Sequence, residues 1–305
     1  MDNPGSGSDK PNAGPYNGWM QTRIALIQCR FDADPDKNRK NLAQWIAKAA
    51  KRKPQIVFLP ELCTTRYFPY EENKKFFALA ESVPGPSTDF FGALAKKHQC
   101  VIVVPLFEKR TQGLYHNTAA VIDADGKYLG KYRKMHIPDD PCFYEKYYFA
   151  PGDLGFKVFD TKHAKLGVLI CWDQWYPEAA RAATLAGAQI LFYPTAIGWH
   201  DSEKPAARKL QRNAWQTIQT SHAVANGVYV VSANRTGREK KLNFWGTSFV
   251  AAPSSEILAE APVNTETVLY AECDLGAIDR IRQEWPFLRD RRVDAYQPIL
   301  KRFAE

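Results

Sequence analysis

The chain has 305 residues, 45% hydrophobic and 24% charged, which is ordinary for a globular protein and enough to bury a full core. Its formal charge is +8, but the basic residues are dispersed and the densest groups, Lys51-Arg52-Lys53 and Arg238 to Lys241, are short, so no nucleic-acid partner is expected. No apolar run approaches the roughly 18 residues of a membrane helix and no charged-then-apolar start suggests a secretory signal, so the reading is a cytoplasmic protein with no membrane partner.

Residues 1–19 are rich in Pro, Gly, Ser and Asn and read as a disordered leader or an expression remnant, with Met20 a natural start. A strand is expected at "RIALIQC", then a helix from about Asn38 to Lys51 with Leu42, Trp45, Ile46 and Ala49 on one face. "QIVFLPE" reads as a strand and "STDFFGALAKKH" as a helix capped by Ser87. "CVIVVPLFE" is the next strand, and a hairpin turning at Asp125-Gly126 follows in "NTAAVIDADGKYLGKYRK". After an aromatic loop come strands at "GFKVFD" and "KLGVLIC", the helix "PEAARAATLAG" and the strand "QILFYP". A long helix is expected over residues 205–226, ending at Asn226-Gly227. "VYVVSAN", "GTSFVAAP", "EILAEAPV" and "TVLYAECD" supply closing strands, and a last helix precedes an extended tail. Strands interleaved with helices, with hairpins in both halves, point to an α/β layered fold with mixed sheets, one domain over residues 20–305.

The six cysteines, Cys29, Cys63, Cys100, Cys142, Cys171 and Cys273, form no CxxC pair, which argues against a disulfide framework and against a zinc site, so no metal is expected. Three strand ends carry complementary chemistry: Glu61 after "IVFLP", Lys134 after "YLGKYR" and Cys171 after "LGVLI". In open α/β sheets ligands bind at the carboxyl ends of strands, so the three have a route to one site. Such a trio suits acyl transfer, with Cys171 as nucleophile, Glu61 as general base, and Lys134 stabilising thiolate and oxyanion. The backbone N–H of Trp172 is the natural second oxyanion donor. Each residue also has a plain reading: a strand-end Glu or Lys is usually a solvated charge, and a cysteine in an apolar strand a small buried hydrophobe. Among six histidines only His136 sits near the trio, where it can simply support the loop. Taken alone, the residues leave core filling, redox thiol and nucleophile open.

The blocks "FLPEL", "GKYRKMHIPDDP", "FYEKYYFAPGD" and "LICWDQWYPEAAR" resemble, in order, the signature blocks of the nitrilase superfamily of carbon–nitrogen hydrolases. The resemblance runs from about Arg23 to the tail "RDRRVDAYQP". It implies an α-β-β-α sandwich with two mixed sheets, a catalytic Glu-Lys-Cys triad at Glu61, Lys134 and Cys171, and a supporting glutamate at Glu145. It also implies a homo-oligomer built from dimers, with the C-terminal tail contributing contacts, and chemistry that needs no cofactor.

The turn after Cys171 reads Trp172-Asp173-Gln174-Trp175 and lacks the arginine that relatives acting on N-carbamoyl amino acids carry there for a substrate carboxylate. Acids stand nearby instead, Asp139, Asp140, Glu145 and Asp173, and suit an ammonium tail, although such carboxylates are commonly just solvated. Tyr67 matches a substrate-contacting tyrosine of the branch acting on N-carbamoylputrescine, and aromatics such as Trp172 suit a tetramethylene chain. The expected substrate contacts are therefore Tyr67, Trp172, Asp173 and Asp140, and the expected reaction is hydrolysis of a ureido C–N bond. Cys63, Arg66 and Cys142 depart from the family pattern and bear on substrate length. The rival readings are an ω-amidase or aliphatic amidase of the same superfamily, a non-catalytic binding protein and, disfavoured for want of a resolving cysteine, a thiol redox protein.

Overall fold

Period-two alternation of apolar side chains builds two six-stranded sheets that share one interior. The structure, a computed structural model, describes residues 21–303, so the expected leader at 1–19 lies outside the described residues. In chain order the first half runs β1 (Gln21–Gln28), α1 (Pro35–Ala50), β2 (Ile56–Phe58), α2 (Pro86–His98), β3 (Val101–Thr111), β4 (Leu114–Ile122) and β5 (Tyr128–Arg133). The second half runs β6 (Val158–Asp160), β7 (Lys165–Val168), α3 (Pro177–Leu185), β8 (Ile190–Thr195), β9 (Gly198–His200) and α4 (Pro205–Asn226). It closes with β10 (Tyr229–Asn234), β11 (Thr236–Glu239), β12 (Leu242–Trp245), β13 (Phe249–Ala251), β14 (Ile257–Glu260), β15 (Thr267–Asp274) and α5 (Gly276–Glu284).

The first sheet has the order β15-β1-β2-β3-β4-β5 and the second β14-β13-β10-β8-β7-β6; both mix parallel and antiparallel pairs. Ile24, Leu26, Phe58, Val101, Val103 and Val121 point from the first sheet into the interior, where Phe58 meets Phe192 of the second at a ring separation of 4.3 Å. Their chain neighbours Ala25, Ile27, Val57, Ile102 and Val104 face the other way, onto Leu42, Ile46 and Ala49 of α1 and Phe91 and Ala95 of α2. Helices α3 and α4 cover the outer face of the second sheet with Ala179, Ala180, Ala183, Trp215 and Ala223. This is the α-β-β-α sandwich that the resemblance implied. No helix among the described residues is long and apolar enough to cross a membrane.

Several boundaries differ from expectation, for local physical reasons. α2 starts at Pro86, whose fixed φ suits the first helical position, so Ser87 lies inside the helix and is not its cap. The Ser87 hydroxyl donates to Glu81 Oε1 at 2.6 Å, while Thr88 Oγ1 takes the Gly85 N–H at 2.7 Å. Pairing in β2 stops at Phe58 and in β7 at Val168, because the chain turns off each sheet before Glu61 and Cys171. The small sheet β11-β12-β9 was not anticipated; its strands are too short for an apolar pattern to register. The tail contains short 3₁₀ turns at Val293–Ala295 and Gln297–Leu300 in place of a fully extended run. The long helix ends as expected at Asn226, with Gly227 in the left-handed conformation at φ 58°.

The alanines of α3 let it sit close over β7, and Gly167 is where they meet. A Cβ there would lie 2.9 Å from Leu191 Cδ2, 3.0 Å from Ala188 Cβ and 3.2 Å from Ala183 Cβ. Gly167→Val is expected to destabilise the chain by about 1–3 kcal/mol through overpacking. A lower urea midpoint with an unchanged denaturant slope would register it; an unaltered midpoint would contradict the close packing.

Candidate active site

Alternation along β5 sorts its side chains between the two faces. Lys131 and Arg133 project to the helix side, where Glu108 pairs with both, accepting Arg133 Nε at 2.8 Å and Nη2 at 2.7 Å. Burial would raise the Glu108 carboxyl, but Arg133, Lys131 and Thr118 outweigh it and hold its pKa down at about 2. Tyr132 and Lys134 project to the opposite face. Lys134 follows directly on β5, its N–H donating to Asn117 O at 2.8 Å and its carbonyl accepting from Gly152 N at 2.7 Å. Gly152 must be small here, because a Cβ would stand 2.1 Å from Arg133 O.

The Lys134 ammonium is fully buried and bridges two carboxylates, Glu61 Oε1 at 2.8 Å and Glu145 Oε2 at 2.6 Å. Asn117 Nδ2 donates to the same Glu61 oxygen at 2.7 Å, while Glu61 Oε2 is buried without a hydrogen-bond partner. Glu145 opens a short 3₁₀ turn, and its second oxygen accepts the Tyr67 hydroxyl at 2.7 Å. Burial opposes a charge on Lys134, yet Glu145 and Glu61 outweigh it and its pKa stands above the ordinary lysine value. Cys171 starts the 3₁₀ turn Cys171–Trp175 with φ +44° and is 6% exposed. Burial first, then Glu61, push its thiol well up, and Lys134 offsets only part of this. A thiol held neutral next to a buried carboxylate and an ammonium can pass its proton on as it attacks, rather than resting as thiolate.

A further support is a buried guanidinium. Arg235 Nη2 donates to Glu61 O at 2.7 Å and Leu62 O at 3.1 Å, gripping the turn where Leu62 adopts φ +50°. Its Nη1 pairs with Glu239 Oε1 at 2.9 Å, and Glu239 Oε2 accepts the Tyr67 N–H at 2.7 Å. Arg235 thus holds both ends of the segment from Glu61 to Tyr67.

A cavity of about 700 Å³ opens beside Cys171, lined among others by Glu145, Trp172, Trp175, Phe143, Asp140 and Glu203. No lysine or arginine lines it among the described residues. The structure brings Glu61, Lys134, Glu145 and Cys171 together, and places Trp172 and Asp140 on the cavity wall. Two expected substrate contacts sit elsewhere. Asp173 is completely buried and takes four hydrogen bonds from Tyr132, His136 and Ile170, so no carboxylate oxygen is left for a substrate. Tyr67 is 1% exposed and stands behind Glu145, outside the cavity lining. Three participants were not anticipated. Arg235 carried one signal, a charged residue at the end of an apolar strand, and Asn117 none, since His116 and Thr118 beside it are polar too. Glu203, with an unpartnered Oε2, lies in "HDSEKP", which reads only as a helix approach. Among the described residues no group of three or more His, Cys, Asp or Glu could hold a metal ion.

Comparison with known proteins places the chain by family and by fold. The family model for carbon–nitrogen hydrolases matches residues 23–283. The N-carbamoylputrescine amidase of Solanum lycopersicum is 43% identical over 286 residues, covering 91% of this chain and 94% of its own. The citrullinase of Francisella tularensis is 40% identical over 286 residues, covering 92% and 99%. The crystal structure of a carbon–nitrogen hydrolase from Helicobacter pylori G27 superposes with a TM-score of 0.91 at 46% identity, over 93% of this chain and 100% of that one. On its fold and on matches along nearly its whole described length, the chain belongs to the carbon–nitrogen hydrolase family, the nitrilase superfamily.

Proposed function

We propose that this carbon–nitrogen hydrolase cleaves the ureido group of N-carbamoylputrescine, giving putrescine, carbon dioxide and ammonia. The observation that carries the substrate choice is the cavity: carboxylates at Asp140 and Glu203, aromatic walls at Phe143, Trp172 and Trp175, and no lysine or arginine in its lining. An ammonium at the end of an apolar chain suits that lining, whereas a substrate carboxylate would meet like charge. The name of the tomato relative points the same way.

In the proposed mechanism the Cys171 sulfur attacks the carbamoyl carbon as its proton passes to Glu61 Oε2. Lys134 and the Trp172 N–H stabilise the oxyanion. One nitrogen leaves, taking a proton, and a thiocarbamate remains on Cys171. Water, deprotonated by Glu61, then breaks the C–S bond, and the carbamic acid released loses carbon dioxide to free the second nitrogen. Glu145, steadied by Tyr67, keeps Lys134 charged and aimed. This sequence draws on no metal or organic cofactor.

We also propose a cytoplasmic homo-oligomer built from dimers. All six cysteines are unpaired thiols, which suits a reducing compartment. Ile299, Leu300 and Phe303 of the tail are 62%, 78% and 79% exposed, apolar side chains that association would cover. Sedimentation velocity is expected to give an assembly that Leu300→Asp shifts to smaller species; a wild-type monomer would remove this part of the proposal.

Ammonia release from N-carbamoylputrescine, citrulline and neutral amides tests the substrate. Turnover should favour N-carbamoylputrescine, with a transient mass adduct on Cys171, and fall about a thousandfold or more in Cys171→Ser. Glu203→Gln is expected to raise KM about tenfold with little change in kcat, since it removes an attraction present throughout the reaction. A preference for citrulline or neutral amides would sink the assignment.

The Glu145 carboxyl is raised by burial from 4.5 to about 7, against the pull of Lys134. It holds its proton more tightly folded than unfolded, so its contribution to stability is full below about pH 4.5 and lost as pH rises through about 7. The thermal midpoint of the wild type minus that of Glu145→Gln should therefore fall across this window. A difference that grows with pH would contradict the buried, proton-retaining carboxyl.

A further inference from the structure

We infer that Asp173 is a positioning residue that sets the separation of Lys134 from Cys171 by tying the two sheets together at the site. The inference rests on the proposed roles of Lys134 and Cys171, which arrive on different sheets. Lys134 follows β5 of the first, and Cys171 follows β7 of the second. Any slip of one sheet over the other would change how far the ammonium stands from the sulfur.

The Asp173 carboxylate spans that seam. Oδ1 accepts the His136 backbone N–H at 3.0 Å and His136 Nδ1 at 2.7 Å. Oδ2 accepts the Tyr132 hydroxyl at 2.7 Å and the Ile170 N–H at 2.9 Å. Tyr132 and His136 are the residues two before and two after Lys134, and Ile170 is the residue before Cys171. One side chain therefore holds both flanks of the lysine and the approach to the cysteine. Its two oxygens carry four hydrogen bonds, the full acceptor capacity of a carboxylate, and it is 0% exposed.

Two further contacts make the tie rigid. Asp173 N–H donates back to Ile170 O at 3.0 Å, closing a ring around Cys171. That ring restrains a non-glycine residue at φ +44°, a strained conformation that persists only where neighbours impose it. The His136 ring lies flat on Tyr176, centroids 3.7 Å apart and planes at 7°, while the Tyr176 N–H donates to Asp173 O at 3.2 Å. The histidine is thus clamped between the carboxylate and the end of the cysteine turn. It serves this tie and is not a member of the reacting trio.

Asp173→Asn keeps the volume but leaves a single acceptor oxygen, so at least one of the four donors loses its partner. The measurements are kcat and KM for N-carbamoylputrescine, and the second-order rate of Cys171 alkylation by iodoacetamide, with the modified residue located by mass spectrometry. For Asp173→Asn, kcat should fall about 10- to 100-fold with KM within about twofold, as expected of a displacement on the order of 1 Å. Alkylation should slow in step, since a displaced Lys134 supports less thiolate. Tyr132→Phe, which removes one hydroxyl and no packing, should lower both rates about three- to tenfold, and it decides the matter if Asp173→Asn does not fold. A purely structural role predicts a lower thermal midpoint with wild-type kcat and alkylation rates in the folded variants, and that result overturns the inference. The alkylation arm needs no substrate, so it stands even if N-carbamoylputrescine is not turned over.

Discussion

The ammonium of Lys134, buried between the carboxylates of Glu61 and Glu145, is the interaction on which the rest of this site depends. A lone charge at such depth costs several kcal/mol or more, and removing one partner of a buried pair leaves that cost exposed. Two carboxyl groups around one ammonium overcompensate, so Glu145 holds its proton more tightly than usual and the surroundings absorb the rest. Asn117 donates to Glu61 and Tyr67 to Glu145, while Arg235 binds the backbone beneath Glu61. The same low-dielectric setting pushes the Cys171 thiol up. In the proposed mechanism the resting sulfur stays protonated and the unpartnered Glu61 Oε2 receives that proton.

Such a cluster tolerates little displacement, and the fold answers with ties that cross between elements. Arg235 leaves the end of β10 and reaches the Glu61 turn, then passes its charge through Glu239 to the Tyr67 backbone. Asp173 crosses from the cysteine turn to both flanks of Lys134. Both are completely buried ionisable groups that do not line the cavity. The alternation of β5 completes the arrangement: Lys131 and Arg133 neutralise Glu108 on one face, which leaves Lys134 to the other.

Much of the frame was legible in the chain alone. The apolar runs of β8 and β10 read as strands, and Asn226-Gly227 marked the end of α4 because only a residue at ease with positive φ closes a helix that way. Glu61, Lys134 and Cys171 stood out as reactive groups at strand ends. Asp173 was placed against the substrate because an acid near a nucleophile looks alike whether it faces a ligand or a neighbour, and Tyr67 because it matches a substrate-contacting tyrosine in the family resemblance. Their hydrogen bonds run to His136 and Tyr132, and to Glu145, residues remote in sequence, and no local pattern encodes such partners. Glu203 escaped notice for the converse reason: a charged residue before a helix is ordinary until the fold places it on a cavity wall.

By itself, then, the sequence determined a layered α/β fold, through periodicity and turn residues, and its signature blocks, by resemblance, implied the sandwich, the carbon–nitrogen hydrolase family and the candidate reactive residues. All of these are short-range properties of the chain. The tertiary structure alone decided which acids are ligands of the protein and which face the cavity, and how deeply Lys134 and Cys171 are removed from water. Burial and partner choice set hydrogen bonding and proton affinity, and both depend on contacts between segments as distant as Glu61 and Arg235.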